Sequence, residues 1–403
     1  SYAEGTSYCN YSALELVHFL HVQRRHTTED WSDQINWKGL MDYFLMTRMP
    51  SAQHPEGHVN FGDGGDGYTS DLAFWIARRF EDPQAQYAGL LRPIREPMFA
   101  AVYFNPEIEP AKPAGSWFYR HYDIGWVVIT TGFASGDFVT AIRSGGPANH
   151  EHADRNSVIM KCHEENLLVD NWHPPYDNLN PAWSLRTSPA HNTVLIDGQG
   201  HQYHDGTEGT NPSRAQAKVV REVTTEHYAI VTSDATPAYA LVDQNIAAVN
   251  RTLLCVPGIK LLLVVDTMRT KIRPVIFKAR WFVENEDKQG GIEFDGARFL
   301  FQRPKARLAG VCAAASGVRL TRDSFPVPAA HGVFPFLDVA AEAAGESCII
   351  TAMIALQQHE PVPPMELTAT TDGWVLTASP QGRNISVGIT LADDYPAFNV
   401  SLS

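Results

Sequence analysis

The hydrophobic pattern of the chain changes near residue 110, and this change constrains the fold more than any other feature. Before it, apolar residues recur at helical spacing in 12–20, 37–46 and 69–80. A proline-rich segment, 106–116, follows. Beyond it come short runs rich in β-branched residues, separated by Gly, Pro, Asn and Asp. Helices followed by strands, with little alternation, indicate an α+β multidomain chain.

We therefore predict a helical domain over 1–112 and a large antiparallel β-sandwich, or layered sheets, over 113–403. A doubly wound α/β fold is disfavoured, because strands and helices do not alternate and no GxGxxG or GxxxxGK[ST] motif occurs. Phosphate binding at the glycine-rich loop 58–67 is also disfavoured, since no strand precedes the loop and it carries two aspartates. The predicted strands include 126–131, 137–142, 193–196, 218–220, 259–265 and 349–356.

Charge and apolar content restrict the class of function. The 403 residues include 45 acidic and 32 basic ones, which gives a net charge of −13. Nucleic-acid binding generally needs a basic surface, so no nucleic-acid partner is expected. No apolar run of about 18 residues occurs, so no membrane span is expected. The chain begins at Ser1 without a signal-peptide pattern, and we expect a removed leader or a piece of a longer product.

Histidines are concentrated in one part of the chain, where seven of the 16 fall within 150–204. In an extended strand, His150 and His152 would lie on one face, because side chains alternate with a period of two. Asp170 ends an apolar run, and His191 precedes a predicted strand. Two histidines and one aspartate suit a zinc ion with water or another group as fourth ligand.

Other interpretations of these histidines stay open, because HxH pairs are common and surface histidines often have no function. The sequence HEENL at 163–167 is not HExxH, which disfavours a zincin. A cupin-like oxygenase also uses HxH on a strand, but Asn156 stands where its acidic ligand is expected. A zinc-dependent hydrolase with an open metal site is a further alternative.

Motifs in both parts of the chain match one known pattern. They are YxEGxxYxxY at 2–11, NFGD at 60–63, HxHxDxNS at 150–157, LVD at 168–170 and RTxxxHNTVxxDG at 186–198. Together they resemble the motifs of the heparinase II/III-like polysaccharide lyases over roughly residues 1–200. The resemblance implies an (α/α) toroid packed on β-sheets with a cleft between them, so the helical domain is expected to be the C-terminal part of such a toroid.

The resemblance also implies roles for individual residues. A structural zinc ion would be bound by His152, Asp170 and His191. His150 would face the substrate, and Tyr8 would be the catalytic tyrosine. Relatives use a further Asn or His from an earlier toroid helix, which would precede this chain. The rest of the toroid would then lie in a longer chain or in a second chain, and a homo-oligomer is a further expectation.

The implied function is β-elimination in a uronic-acid polysaccharide such as heparin, heparan sulfate or alginate, which gives 4,5-unsaturated uronates. Donors must neutralise the uronate carboxylate while a base removes the C5 proton and an acid protonates the leaving O4. We expect His150 to neutralise the carboxylate and Tyr8 to serve as acid, or as both acid and base. The candidates for substrate binding are Tyr11, Arg155, Tyr176 and Arg186, with Tyr11 also the alternative catalytic tyrosine.

An acidic polysaccharide or oligosaccharide is thus the expected partner, and the expected location is the periplasm or the medium. Aromatic packing at a helix start is the alternative interpretation of the first tyrosines. A non-catalytic carbohydrate-binding protein of the same architecture is the alternative to a lyase. A hydrolase would differ in its product, because only a lyase makes an unsaturated uronate that absorbs ultraviolet light.

Overall fold

The structure is a computed structural model, and it describes most of the chain. The residues outside the described part are 1–3, 64, 66, 95, 149, 151, 172, 173, 175, 202–213, 343, 344 and 392–394. Tyr2 of the first motif therefore lies outside the described residues, as do His173 and His204 of the histidine-rich segment.

Helices form one side of the molecule. Those described before residue 110 are α1 Gly5–His26, α2 Trp37–Met46, α3 Ser70–Phe80, α4 Pro83–Leu90 and α5 Pro97–Tyr103. The predicted helical segments 12–20, 37–46 and 69–80 correspond to α1, α2 and α3. Local chemistry fixes the start of α4, where the Asp82 carboxylate accepts the backbone N–H groups of Gln84 and Ala85. The described residues of the glycine-rich segment between α2 and α3 are non-helical.

Strands dominate the rest of the chain, with one short helix, α6 Thr236–Ala240, among them. The strands are β1 Phe118–His121, β2 Trp126–Thr130, β3 Val139–Arg143, β4 Val158–Cys162, β5 Glu165–Leu168, β6 Val194–Ile196, β7 Lys218–Thr224, β8 Ala229–Asp234, β9 Ile246–Val256, β10 Leu261–Thr270, β11 Ile276–Phe282, β12 Gly291–Asp295, β13 Arg298–Gln302, β14 Ala306–Ala313, β15 Arg319–Ser324, β16 Pro335–Glu342, β17 Glu346–Gln357, β18 Met365–Thr370, β19 Gly373–Ala378, β20 Ile385–Thr390 and β21 Ala397–Leu402. The six predicted runs correspond to β2, β3, β6, β7, β10 and β17.

The strands form four sheets in which the described neighbours pair antiparallel. The first sheet has the order β1-β2-β3-β4-β5, and the largest has the order β12-β13-β14-β17-β10-β9-β8-β7. Two four-stranded sheets have the orders β15-β16-β11-β6 and β18-β19-β20-β21. The expected antiparallel β region is confirmed, and it consists of layered sheets.

The five-stranded sheet is the layer that joins the helices to the remaining sheets. Every residue of β2, β3 and β4 is buried. On one face, Val128 and Ala141 pack in a core with the helices. On the other face, Val127 and Ile142 pack in a core with the large sheet. Burial on both faces explains why these strands have continuous apolar runs.

Several apolar side chains of the helical layer are more than half exposed. Phe19 and Val22 of α1 are 51% and 55% exposed, and Met98 of α5 is 68% exposed. Contacts between His18 and Phe99, with ring centroids 4.9 Å apart, bring the two helices together. The described helices do not by themselves close a toroid. Among them, none is long and apolar enough to cross a membrane.

Candidate active site and metal centre

The loop that joins β3 to β4 carries both histidines of the HxH motif. His150 lies in a turn with φ of 56°, a left-handed conformation that is uncommon for a residue with a side chain. His152 also lies outside any strand. The prediction that the two side chains share one face of an extended strand is therefore wrong, because the turn at His150 breaks the period of two.

A buried arginine of β9, Arg251, binds the backbone of this loop. The Arg251 guanidinium donates to both carboxylate oxygens of Asp266, at 2.7 and 2.9 Å. Its remaining terminal nitrogen donates to the backbone carbonyls of Asn156 and Asn192, at 2.7 and 2.5 Å. Arg251 thus joins the HxHxDxNS and HNTV motifs through one nitrogen.

The asparagine of the HNTV motif fixes the segments that carry the predicted metal ligands. The Asn192 amide group donates to the carbonyls of Val158 and Val169, at 2.8 Å each. Its side-chain oxygen accepts the backbone N–H of Phe282 at 2.6 Å. Because Val169 precedes Asp170 and Asn192 follows His191, this one side chain sets the spacing between two of the predicted ligands.

The three predicted zinc ligands converge in the structure. His152, Asp170 and His191 each offer one ligand atom, and these atoms lie within 4.8 Å of one another. Their side chains are at most 1% exposed. Burial lowers the pKa of His152, although its hydrogen bond with Asp63 partly opposes this shift. His152 is therefore held in the neutral form that binds metals.

The hydrogen bonds of these side chains leave one atom of each without a protein partner. Asp63 Oδ1 lies 2.9 Å from His152 Nε2, and Asp170 Oδ2 lies 3.0 Å from His191 Nδ1. The buried atoms left over are Nδ1 of His152, Oδ1 of Asp170 and Nε2 of His191. Buried polar atoms rarely lack a partner, and a metal-bound histidine typically donates its other N–H to a carboxylate. The donor set therefore fits a zinc ion.

A second cluster, which we call the tyrosine cluster, consists of Tyr8, His150, Tyr176 and Arg186. The rings of Tyr8 and His150 stack at 4.1 Å with an interplanar angle of 12°. The phenolic oxygens of Tyr8 and Tyr176 are 2.7 Å apart. The Tyr176 ring meets the His150 ring edge-on at 5.7 Å. The first helix and the β-sheet region thus contribute adjacent groups to one site.

The guanidinium of Arg186 extends the tyrosine cluster into the protein. It lies 5.3 Å from the Tyr176 ring and 4.4 Å from the Trp183 ring. Burial and the hydrogen bond to Tyr8 raise the pKa of Tyr176 above its usual value. Tyr176 consequently keeps its proton and can donate it to the oxygen of Tyr8.

Two carboxylates that the sequence interpretation did not assign complete the site. Glu4 Oε2 lies 3.0 Å from His150 Nδ1. Asp63 contacts His152 and donates its backbone N–H to the His150 carbonyl at 3.0 Å. Glu4 belongs to the YxEGxxYxxY motif and Asp63 to the NFGD motif, so the sequence marked both residues as parts of motifs. Neither motif indicated a contact with the distant HxH segment.

Two of the predicted substrate-binding residues occupy other positions. The Arg155 side chain is fully buried and donates to Asp154 and to the Gly146 carbonyl. It therefore supports the loop from inside. Tyr11 is 66% exposed, and within the described residues it makes no hydrogen bond or ring contact with the tyrosine cluster.

Comparison with known proteins supports the family suggested by these motifs. The family model for the heparinase II/III-like C-terminal region matches residues 116–333, more than half of the chain. The chain belongs to the heparinase II/III-like family. A comparison with curated proteins found no significant match to the sequence.

Solved structures of the heparinase type share the fold. A heparinase III gene product with methylated lysines is 14% identical with a TM-score of 0.63, over 88% of this chain and 51% of that one. Heparan sulfate lyase HepC from Pedobacter heparinus is 15% identical with a TM-score of 0.62, over 91% of this chain and 52% of that one. The chain therefore spans about half the length of these structures.

Proposed function

We propose that this member of the heparinase II/III-like family is a polysaccharide lyase that cleaves a uronic-acid polysaccharide by β-elimination. The observation that carries the proposal is the contact of Tyr8 with His150 and Tyr176 across the boundary between helices and sheets. The site combines a phenol that can exchange a proton with a cationic group that can meet a carboxylate. Glycosaminoglycans such as heparan sulfate are the first substrates to test, followed by alginate.

In the proposed reaction, the uronate carboxylate accepts hydrogen bonds from His150 and the groups around it. This contact stabilises the charge that develops on the carboxylate when the C5 proton leaves. The electron pair of the C5–H bond forms the C4–C5 double bond, and the C4–O4 bond breaks with its electron pair on O4. Tyr8 takes the C5 proton as the phenolate and then gives that proton to O4, which regenerates the phenolate, so atoms and charge balance over the cycle.

The neighbours of these two residues support the assignment. The Glu4 carboxylate accepts a hydrogen bond from His150 Nδ1, so that in the imidazolium form Nε2–H remains to donate to the uronate carboxylate. Tyr176 is 59% exposed, so it can pass protons between Tyr8 and the solvent. Arg186 lies behind Tyr176 and adds a fixed positive charge to the site. These placements support Tyr176 and Arg186 as substrate-binding candidates.

A structural zinc ion held by His152, Asp170 and His191 is part of the proposal. When bound, it would crosslink three segments of the β region. The near-complete burial of the three side chains favours this role over a hydrolytic one, which needs a position open to water and substrate. His150 itself lies outside the cluster, and the ion would hold its loop through His152.

The exposed apolar side chains of α1 and α5 support a further helical partner. Phe19, Val22 and Met98 are more than half exposed there, and structures of the same fold are about twice as long. Additional helices of a toroid, in a longer chain or in a second chain, would bury these side chains. A second copy of this chain is the other candidate for the same surface. We further propose action in the periplasm or the medium, where uronate polymers are met.

The direct test is incubation of the purified protein with heparin, heparan sulfate and alginate, followed by ultraviolet absorbance and product size. A lyase generates a double bond conjugated with the carboxylate, and absorbance rises with each cleavage. New reducing ends without absorbance would indicate the hydrolase. Saturable binding without any cleavage would indicate the non-catalytic carbohydrate-binding protein.

A further inference from the structure

We infer that Asp63 is a positioning residue whose carboxylate couples the metal centre to the tyrosine cluster. This inference rests on the proposed function for its kinetic consequences, whereas its structural consequences can be tested without activity. Asp63 lies in the loop between α2 and α3, so it belongs to the helical side of the molecule. Its side chain is fully buried.

The carboxylate of Asp63 contacts both clusters, and Arg186 Nη2 lies 2.9 Å from each of its oxygens. Oδ1 lies 2.9 Å from His152 Nε2, and Oδ2 accepts a hydrogen bond from Arg186 Nη2 at 2.9 Å. These contacts cross 89 and 123 residues of sequence. A neutral amide lacks the charge that strengthens both hydrogen bonds, so loss of the charge at Asp63 should weaken the contacts to His152 and Arg186 together.

On the metal side, the contact selects the nitrogen that His152 presents. If Nε2–H donates to Asp63, the lone pair of the neutral ring is on Nδ1, which is the buried atom without a protein partner. The ring is also fixed in orientation. Carboxylates in this position typically change metal affinity about 10- to 100-fold.

On the other side, the same carboxylate fixes the plane of Arg186. That guanidinium lies against Tyr176 and Trp183, and Tyr176 contacts the oxygen of Tyr8. The backbone of Asp63 contributes separately, because its N–H donates to the carbonyl of His150. This bond helps to hold His150 in its left-handed conformation, which is unfavourable for a side chain other than glycine.

The test uses Asp63→Asn, which keeps the shape and the backbone contact but removes the charge. The matched control is Glu165→Gln, which neutralises another fully buried carboxylate whose described partners are Arg303 and Lys305. Thermal unfolding of both variants measures the loss of stability that follows when any buried carboxylate is neutralised. Zinc affinity is measured by competition with a chromophoric chelator, with Zn²⁺ alone as the probe.

We expect Asp63→Asn to weaken zinc binding by about 10- to 100-fold. At saturating zinc, its kcat on the best substrate should still be lower by about 10-fold, with KM within about 3-fold, because Arg186 and Tyr176 are misplaced in the reacting complex. The control should retain both values. Full recovery of kcat with zinc would overturn the coupling, as would a loss of kcat with unchanged zinc affinity.

A readout independent of zinc and activity uses nuclear magnetic resonance of the metal-free protein. Asp63→Asn should shift the ring nitrogens of His152 and the indole N–H of Trp183 together, whereas Glu165→Gln should shift neither. A shift at only one of the two reporters would overturn the coupling. If the native protein binds no zinc and cleaves no polymer, the proposed function fails, and this measurement still decides the role of Asp63.

Discussion

His150 and His152 are neighbours in sequence but belong to different regions of the molecule. The His150 side chain is 21% exposed, stacks on Tyr8 and pairs with Glu4 of the helical side. The His152 side chain is fully buried, and its Nδ1 atom has neither solvent nor a protein group as a hydrogen-bond partner. The turn at His150 sends the two rings in different directions. Partial exposure suits a group that meets a substrate, and burial with unsatisfied polar atoms suits a ligand of an ion.

The comparison also separates the energetic roles of the two clusters. Removing an exposed group of the tyrosine cluster, such as the Tyr176 hydroxyl, leaves solvent to replace its hydrogen bonds, so stability should change little. Removing a group from the metal cluster leaves buried polar atoms unpaired, so stability should fall strongly. Activity should respond in both cases but by different routes. Substitutions in each cluster therefore test whether the tyrosine cluster serves activity and the metal cluster serves stability.

The largest effect on rate is expected for Tyr8→Phe. The variant keeps the ring that stacks on His150 and removes the hydroxyl that contacts Tyr176. Loss of a general acid–base group should lower kcat by about 10²- to 10⁴-fold, measured as the initial rise in ultraviolet absorbance. The free energy of unfolding should change by about 1 kcal/mol at most. A rate within about 3-fold of the native protein would reject Tyr8 as the catalytic residue.

The largest effect on stability is expected for His191→Ala. The substitution removes a predicted ligand and leaves the buried Asp170 carboxylate without its histidine partner. We expect a loss of about 3–5 kcal/mol in the free energy of unfolding, measured with urea, together with loss of bound zinc. His227→Ala, at an exposed position, is the control and should change neither quantity. One zinc per chain in His191→Ala would show that the ligand set is wrong.

An intermediate effect on rate is expected for Arg186→Lys, because Arg186 is the member of the tyrosine cluster that contacts Asp63. Lysine keeps the positive charge but lacks the planar group that lies against Tyr176 and Trp183 and donates to Asp63. We expect kcat/KM to fall by about 10-fold, with zinc content unchanged. If lysine supports native kcat/KM, then only the charge of Arg186 matters, and its stacked geometry has no role.

Features that depend on residues close in sequence could be predicted, whereas features that depend on distant contacts could not. Helical spacing predicted α1, α2 and α3, because an amphipathic face depends on residues within a few turns. The metal set was suggested by motif resemblance, and the structure brings these three residues together. Period-two alternation failed at His150 because a residue in the left-handed conformation is not part of an extended strand, and local composition did not indicate this turn.

Burial and long-range contacts account for the remaining differences. Arg155 follows Asp154 in a motif that otherwise carries site residues, so it was expected to contact substrate. Its side chain instead enters the interior, where Asp154 and a backbone carbonyl compensate its charge. Asp63 was visible in a motif, yet its partners are 89 and 123 residues away. Only the packing of the loop between α2 and α3 against the sheet region creates these contacts.

The smallest effect is expected for Tyr11→Phe, which tests whether exposure alone can indicate a substrate contact. Tyr11 lies one helical turn after Tyr8, but its side chain is 66% exposed and makes no described contact with the tyrosine cluster. Removing its hydroxyl should leave kcat and KM within about 2-fold, as for most surface substitutions. A loss of kcat comparable to that of Tyr8→Phe would move the catalytic role to Tyr11. A change in KM alone would instead place Tyr11 on the path of the polymer, beyond the groups that carry out the elimination.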